Sequence, residues 1–294
     1  MNNFDLKSSI IYILIFIIMV LLIILKKMDD RNKDLSLQKK MEKVEIESQE
    51  EKLQEKTFDE KPHKIFPEIK NPELKGVIGI IIDDFGYRND NVSDGFLEID
   101  ANMTYAIIPG HQYSTSFGEK AVNAGFEVIV HMPMENTGRT YGEEEFVLKT
   151  DMDNETMERR LKNALKQIPT AIGMNNHQGS KASADQGVMA NVARVLKDKG
   201  LFYIDSRTTV ETIGETTMEI FGVPTARRNI FLDNDDDEIK IEKQLMKLVK
   251  KSEKSGFAIG IGHVKPKTLK VLREKIPQLK RQGYKFDFVS RMLH

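Results

Sequence analysis

The sequence predicts an α/β fold for residues 76–294, organised as an irregular barrel of about seven parallel strands with helices outside it. Short apolar runs alternate along this region with longer amphipathic runs. Strands that are apolar throughout are typical of a parallel sheet covered by helices on both faces. Almost every strand run ends in an ionisable residue, and functional groups in such folds lie at the carboxyl ends of strands. A barrel is preferred to an open sheet because it brings all of these ends into one cavity.

Each strand is predicted from a short apolar run, and each helix from apolar residues three and four positions apart. Met157, Leu161, Leu165 and Ile168, for example, fall on one helical face. The predicted strands, in chain order, are VIGIII, MTYAIIP, EVIVHMPME, AIGMNNH, LFYIDSR, NIFLDND, FAIGIGH and YKFDFVS. The predicted helices lie within DNVSDGFLEID, TSFGEKAVNAGF, DNETMERRLKNALKQI, ADQGVMANVARVLKDKG, TVETIGETTMEIFG, EIKIEKQLMKLVKKSEKSG and KPKTLKVLREKIPQLKRQG.

Residues 1–27 are predicted to form a membrane anchor. The run 8–25 carries no charge, and a spanning helix needs about 20 apolar residues, with roughly 17 as the lower limit. A cleaved signal peptide would have a shorter apolar run followed by small residues, whereas Lys26 and Lys27 follow this one. Residues 28–75 are rich in Lys, Glu, Gln and Asp, which predicts a solvated, partly helical stalk before the domain at 76–294.

Composition narrows the classes of function. The formal net charge of the 294 residues is −1, so no basic field points to a nucleic-acid partner. The absence of cysteine excludes disulfides and thiolate metal sites, so any bound metal must use His, Asp or Glu. Tryptophan is also absent, and stacking on a sugar would therefore have to use Tyr, Phe or His. No Walker loop, dinucleotide fingerprint or G-x-S-x-G elbow is present.

Asp83 and Asp84 end the first strand after an apolar run. A buried, unpaired carboxylate costs several kcal/mol, roughly, so a positive group is expected at this strand end. Neighbouring side chains of a strand point to opposite faces, which would let one aspartate bind a metal while the other acts as a base. The alternative is a helix N-cap or a turn. The apolar run and the histidines at other strand ends favour the metal interpretation.

Three of the six histidines, His131, His177 and His263, follow apolar strands. Each has a plain alternative: a core residue for His131, a loop residue for His177 and a helix start for His263. His111, after the second strand, is a weaker candidate for the same cavity. Imidazole and carboxylate without thiolate fit a divalent hydrolytic metal such as zinc, with manganese, cobalt or nickel also open. The runs DNDDDE and KLVKKSEK are interpreted as solvated helix ends.

Six blocks in this order resemble the divergent polysaccharide deacetylase family: IIIDDFGY, VIVHMPME, GMNNHQGS, FYIDSRTT, RRNIFLDND and AIGIGH. The resemblance runs from about Gly76 to the end of the chain. It implies a distorted (β/α) barrel like that of metal-dependent carbohydrate esterases acting on N-acetylated sugars. It also implies that Asp83 is the catalytic base, that Asp84 is a metal ligand and that His263 is the catalytic acid.

The better-known deacetylases of this superfamily supply two metal-binding histidines from one H-x-x-x-H motif. Here Glu135 stands four residues after His131, and His177 is the predicted substitute for the second histidine. The predicted metal ligands are therefore Asp84, His131 and His177. The predicted substrate-binding residues are Asn176, Asp205 and Arg207.

The function expected from these residues is hydrolysis of N- or O-linked acetyl groups on a cell-envelope polysaccharide. The expected cofactor is a divalent metal, with zinc as the first choice. The alternatives are an envelope barrel that binds glycan or protein without catalysis, and a metal-dependent hydrolase of a different ester. A glycan substrate lies outside the cytoplasm, so the domain is expected there, on a single-pass anchor in the cell membrane. The positive charges at Lys26, Lys27, Arg31 and Lys33 favour the opposite orientation.

Overall fold

The structure is a computed structural model that describes Lys26, residues 73–139 and residues 142–294. Nearly all of the predicted anchor (1–27) and stalk (28–75) lies outside the described residues. Within the part of the chain that is described, none of the helices has the length and apolar character that a membrane span requires. The described residues from 73 onward belong to one compact unit.

Strands and helices alternate along the described chain, as the sequence predicts. The strands are β1 (Gly76–Phe85), β2 (Thr104–Ile107), β3 (Glu127–Met134), β4 (Gly173–Gln178), β5 (Phe202–Asp205), β6 (Thr225–Arg227), β7 (Ile230–Phe231), β8 (Phe257–His263) and β9 (Tyr284–Phe286). The helices are α1 (Asn91–Phe96), α2 (Ser114–Asn123), α3 (Asn154–Gln167), α4 (Gln186–Lys199), α5 (Gly214–Phe221), α6 (Glu238–Ser255) and α7 (Pro266–Arg281). Short 3-10 turns cover Ala182–Ala184 and Val289–Met292.

The strands form one parallel sheet in the order β6-β5-β4-β3-β2-β1-β8-β7, and β9 pairs with the first residues of β1. The sheet curls because β6 and β7 belong to one chain segment. Between β6 and β7, Arg228 N donates to Asp205 O at 2.9 Å, and one residue later Asn229 N donates to Ile259 O at 2.8 Å. The α/β class is confirmed, and this curled half-barrel of eight strands is consistent with the predicted distorted barrel. The prediction missed β6, whose three residues form no apolar run.

Alternation along β1 divides its side chains between two apolar cores. Ile78, Ile80 and Ile82 pack with the helices, whereas Ile81 belongs to a smaller core inside the curl. The 3-10 turn Val289–Met292 contributes to the inner core. Gly79 leaves room for it, because a Cβ there would lie 2.8 Å from the sulfur of Met292. Residues 77, 79, 81 and 83 therefore share the inner face, and Asp83 is the last of them.

Asp287 anchors the C-terminal segment that closes the bottom of the curl. Its Oδ1 accepts hydrogen bonds from Asn102 Nδ2, Phe288 N and Arg291 Nη1, and Oδ2 lies 2.6 Å from Lys285 Nζ. The side chain is only 6% exposed. Burial opposes ionisation, but these partners lower the pKa of Asp287 to about 2.

We expect Asp287→Asn to lower the free energy of unfolding at neutral pH by about 2 kcal/mol. Because the folded pKa is depressed, the contribution is complete above the ordinary value of 3.8 and disappears as pH falls towards about 2. The penalty should therefore shrink over that range in urea titrations. Asp100→Asn is the matched control: Asp100 also pairs with a lysine, Lys280, but its side chain is 95% exposed, and little change is expected. Equal effects of the two substitutions would contradict the anchoring role.

Candidate metal and hydrolytic site

Polar side chains converge at the carboxyl edge of the curled sheet. Asp83 and Asp84 come from β1, His131 from β3, His177 from β4 and His263 from β8. The pairing register explains the convergence: Asp83 lies opposite His263 in the adjacent strand, and His177 lies opposite Pro133, two residues after His131. The structure thus brings together the five residues predicted for metal binding and catalysis.

The two aspartates reach the same cavity because the backbone of Asp84 is left-handed, with φ of 69°. The register between β1 and β2 also shifts between Ile82 and Phe85. His131 Nε2 lies 3.5 Å from Asp83 Oδ2 and 3.4 Å from Asp84 Oδ1. The expectation that the two carboxylates point to opposite faces is therefore wrong, since it assumed regular strand geometry through Asp84.

Asp84, His131 and His177 form a triangle of possible ligand atoms. Asp84 Oδ1 lies 3.4 Å from His131 Nε2 and 3.3 Å from His177 Nδ1, and the two nitrogens are 3.1 Å apart. Ligands of a tetrahedral zinc ion, at about 2.0–2.1 Å from the metal, lie about 3.3–3.4 Å from one another. Asp84 Oδ1 is also buried, and no described residue donates a hydrogen bond to it. The donor set and its spacing fit a divalent cation.

Asn175 holds both the candidate base and one candidate ligand. Its Nδ2 donates to Asp83 Oδ1 at 2.9 Å, and its Oδ1 lies 2.7 Å from His131 Nδ1. Because an amide oxygen only accepts, His131 must carry a proton on Nδ1, and Nε2 is the nitrogen that faces Asp84 and His177. Asn175 was not predicted as a site residue, although strand alternation from His177 places it on the same face.

Burial and the neighbouring charges move the ionisation of the aspartates in opposite directions. Burial raises the pKa of Asp83 above its ordinary value, although His131 and His263 oppose the effect. Burial also opposes ionisation of Asp84, but contacts with His131 and His177 hold the pKa of that carboxyl well below its usual range. Two neighbouring carboxyls with separated proton affinities can take different roles, one as a permanent anion and one as a proton acceptor.

His263 is paired with a buried aspartate. Its Nδ1 lies 2.8 Å from Asp233 Oδ1, and its backbone N donates to Asp233 Oδ2 at 2.8 Å. Thr268 Oγ1 donates to the same Oδ2 at 2.7 Å. Burial lowers the pKa of His263, but Asp233, Asp84 and Asp83 together outweigh this and raise the pKa above its ordinary value. His263 Nε2 is left facing the cavity, 3.9 Å from Asp84 Oδ2.

The interpretation of the run DNDDDE as a solvated helix end is wrong for its first residue. Asp233 is fully buried and orients His263. Asp237 does act as expected, because it N-caps α6 by accepting from Lys240 N at 3.0 Å. The sequence held a signal for the difference, since Asp233 directly follows an apolar run, as Asp83 does.

Glu135 lies outside the metal triangle. Its Oε2 accepts from Thr150 N and Thr150 Oγ1 at 2.7 and 2.8 Å, and its Oε1 pairs with Lys181 Nζ at 2.9 Å. Glu135 therefore connects the loops after β3 and β4. His177, on the neighbouring strand, lies beside His131, and its role as the second metal-binding histidine stays a prediction.

Asn176 and Asp205 are buried and hydrogen-bonded within the protein. Asn176 Oδ1 accepts from Tyr203 Oη at 3.0 Å and from Ser206 N at 2.9 Å. Asp205 Oδ2 accepts from Thr212 Oγ1 at 2.8 Å. These bonds order the loop after β5, so both residues support the rim of the cavity. A direct contact with sugar stays a prediction for them.

Two arginines lie at the same rim. Arg207 is exposed, with φ of 50°, and its backbone oxygen accepts from Arg228 Nη2 at 2.8 Å. The guanidinium of Arg228 lies 4.9 Å from the ring centre of Phe231, which is itself 5.1 Å from the His263 ring. Burial and the charge of Arg207 lower the pKa of Arg228, while Asp83 raises it. Arg228 is thus a positive group whose charge interacts with that of Asp83, and the sequence reasoning did not identify it, although the block RRNIFLDND contains it.

The sequence is similar to known proteins over most of the described domain. Residues 80–293 match the family described as divergent polysaccharide deacetylase. The chain is 31% identical over 211 residues to the uncharacterized protein YibQ of Escherichia coli. The aligned region covers 72% of this chain and 66% of YibQ. It is 32% identical over 202 residues to an uncharacterized protein of Haemophilus influenzae. This alignment covers 69% of this chain and 71% of the Haemophilus protein.

A crystal structure of an uncharacterized protein from Agrobacterium tumefaciens has the same fold. It superposes with a TM-score of 0.70 at 18% identity and covers 74% of this chain and 89% of that one. The family match spans both aspartates, the three histidines and the buried Asp233. The chain therefore belongs to the divergent polysaccharide deacetylase family.

Proposed function

We propose that this protein is a metal-dependent hydrolase that removes acetyl groups, N- or O-linked, from a cell-envelope polysaccharide. One observation carries the proposal. A proton-accepting carboxylate, Asp83, and an oriented imidazole, His263, flank three convergent ligand atoms of Asp84, His131 and His177. Family membership supplies the substrate class.

Asp84, His131 and His177 would hold the ion, and zinc is our first choice. The chemistry that a divalent ion held there would supply is polarisation of the acetyl carbonyl and a lower pKa, about 7, for a water molecule. The protein holds the ligands in place before the ion binds, because Asn175 orients His131 and the left-handed backbone directs Asp84.

Asp83 takes the proton of the attacking water. Its carboxylate is held by Asn175 and lies beside the ligand triangle without belonging to it. Burial raises its pKa, which makes it a stronger base than an exposed aspartate. Water adds its oxygen to the acetyl carbon, and the proton passes to Asp83.

His263 donates a proton to the leaving nitrogen, or to the leaving oxygen of an ester. Asp233 fixes the ring through Nδ1, so that Nε2 faces the cavity, and stabilises the protonated imidazole. Cleavage of the bond releases acetate and the free amine or hydroxyl group of the sugar. The proton delivered to the leaving group is balanced by the one taken from water.

The metal assignment can be tested on the purified full-length chain loaded with zinc. We expect wild type to carry one divalent ion per chain, and His131→Ala and His177→Ala each to lose most of it, because each removes one of three ligands. Elemental analysis after dialysis measures the ion. Glu135→Gln is the control, since Glu135 stands four residues after His131 but lies outside the triangle, and it should keep the ion. Full metal retention in His131→Ala or His177→Ala would refute the ligand set.

The chemistry can be tested with Asp83→Asn, which keeps the shape of the side chain and removes the base. Loss of a general base costs about 10²–10⁴-fold in rate, so acetate release from an acetylated glycan should fall by that factor. Metal content should be largely retained in Asp83→Asn and lost in Asp84→Asn, which separates base from ligand. Activity equal to wild type in Asp83→Asn would place the base elsewhere. If zinc-loaded wild type binds glycans but releases no acetate, a non-catalytic binding role replaces this proposal.

We also propose that the domain lies outside the cytoplasm on its N-terminal anchor, where its substrate is found. Protease added to cells with a permeabilised outer barrier should then digest the domain and spare a tag placed before residue 8. Immunoblotting against both ends measures this. Protection of the domain together with digestion of the tag would reverse the orientation.

A further inference from the structure

Tyr87, His111 and Glu143 form a cluster in the loops that follow β1, β2 and β3. Tyr87 Oη donates to Glu143 Oε1, and His111 Nε2 lies 2.8 Å from the same oxygen. The Tyr87 and His111 rings are in contact, with centres 3.7 Å apart and planes tilted by 39°. None of these residues takes part in the metal triangle or the acid–base chemistry.

Tyr87 is an exposed aromatic ring that is nevertheless held in place. It is 48% exposed, although His111 covers one side and Glu143 binds its hydroxyl. Burial and the bond to Glu143 raise the pKa of Tyr87, so the hydroxyl stays a neutral donor. A ring fixed at both its side and its tip loses little conformational freedom when a ligand covers the open side.

Glu143 has an acceptor that the described residues leave unused. Its side chain is only 1% exposed, and no described residue donates a hydrogen bond to Oε2. Glu143 also has a left-handed backbone, with φ of 45°. It follows Gly142, at which an added Cβ would meet no described atom within 4 Å. A buried carboxylate oxygen without a donor is costly, and a ligand hydroxyl would satisfy it.

The cluster lies beside the candidate metal site. Tyr87 follows Asp84 by three residues, and the charge of Asp84 contributes to the raised pKa of Tyr87. The intervening Gly86 is held against the next loop, because Tyr113 N donates to Gly86 O at 3.2 Å and a Cβ on Gly86 would lie 2.9 Å from Ile108 O. The loop that carries Tyr87 is thus anchored on the side of His111.

The cluster does not suit a second metal ion. His111 Nε2 and the hydroxyl of Tyr87 both lie within hydrogen-bond distance of Glu143 Oε1. The possible ligand atoms are therefore already paired within the cluster. An open aromatic face next to a carboxylate is instead suited to a pyranose ring, which has apolar C–H faces and hydroxyl donors at its edge. With no tryptophan in the chain, such a face has to come from Tyr, Phe or His, and Tyr87 provides one.

We infer that Tyr87, His111 and Glu143 form a sugar-binding subsite next to the acetylated residue, with a pyranose ring on the open face of Tyr87 and a sugar hydroxyl donating to Glu143. The inference rests on the proposed function for its substrate class. It makes Tyr87 a specificity-determining residue, because a short acetylated compound would leave this subsite empty while a glycan chain would fill it.

The test is calorimetric binding of a chitooligosaccharide to the zinc-loaded full-length chain, in an Asp83→Asn background that prevents turnover. Tyr87→Ala should weaken binding about tenfold, as expected for truncation of a central tyrosine contact. Glu143→Gln should also weaken it, whereas Phe257→Ala should not. Phe257 is the matched control, since it is 41% exposed but lies at the opposite, amino-terminal end of β8.

Tyr87→Phe separates stacking from a merely structural role, because it removes the hydroxyl that Glu143 binds and keeps the ring. Affinity close to that of the Asp83→Asn background is expected for Tyr87→Phe, with unchanged metal content in all variants. Losses of affinity that are equal in Tyr87→Phe and Tyr87→Ala would overturn the stacking role. Unchanged affinity in Tyr87→Ala, or no binding of any chitooligosaccharide, would overturn the subsite.

The two proposals fail differently. If wild type releases no acetate but binds glycan in a Tyr87-dependent manner, the hydrolase proposal fails and the subsite is supported. If wild type releases acetate from a glycan and Tyr87→Ala does so with the same KM, the hydrolase stands and the subsite is refuted.

Discussion

At the end of β1 the chain passes through a non-glycine residue in the left-handed region, Asp84, and the site depends on this turn. Such a conformation costs about 1–2 kcal/mol relative to a regular one. Without it, alternation would direct Asp84 towards the helix layer and leave Asp83 alone in the curl. The register shift that accompanies it ends regular pairing with β2. Backbone strain of this kind concentrates at functional sites, and Asp84, Gln178 and Arg207 all lie at carboxyl ends of strands that border the cavity.

Asn175 fixes the orientation of two ionisable side chains in the cavity, Asp83 and His131. One amide contacts both the buried Asp83 and His131, so the orientation of the carboxylate and the tautomer of the imidazole are coupled. Asp233 plays the same part for His263 on the other side of β1. Each reactive group is thus positioned by a neutral or charged partner from another part of the sheet edge. A fully partnered polar network can tolerate burial, whereas any one of these groups alone would not.

The departure from the H-x-x-x-H pattern has a structural explanation. Glu135 occupies the position four residues after His131 but serves to join two loops through Thr150 and Lys181. The neighbouring strand places His177 at a spacing from His131 and Asp84 that a single ion could bridge. A metal site specifies distances between donor atoms, and parallel strands about 4.8 Å apart can meet them as well as a turn can.

The sequence by itself determined the α/β class, the order of nearly all strands and helices, and the five strand-end residues of the candidate site, because apolar periodicity and polar strand ends are local signals. It could not determine the left-handed turn at Asp84, and for this reason the expectation that the two carboxylates point to opposite faces was wrong. It also left the burial of Asp233 undecided, since the same acidic run can cap a helix or enter a core. The roles of Asn175 and Arg228, and the meeting of Tyr87, His111 and Glu143, depend on pairing between strands and loops far apart in the chain. Those contacts were decided by the curl of the sheet, a tertiary property that no local pattern encodes.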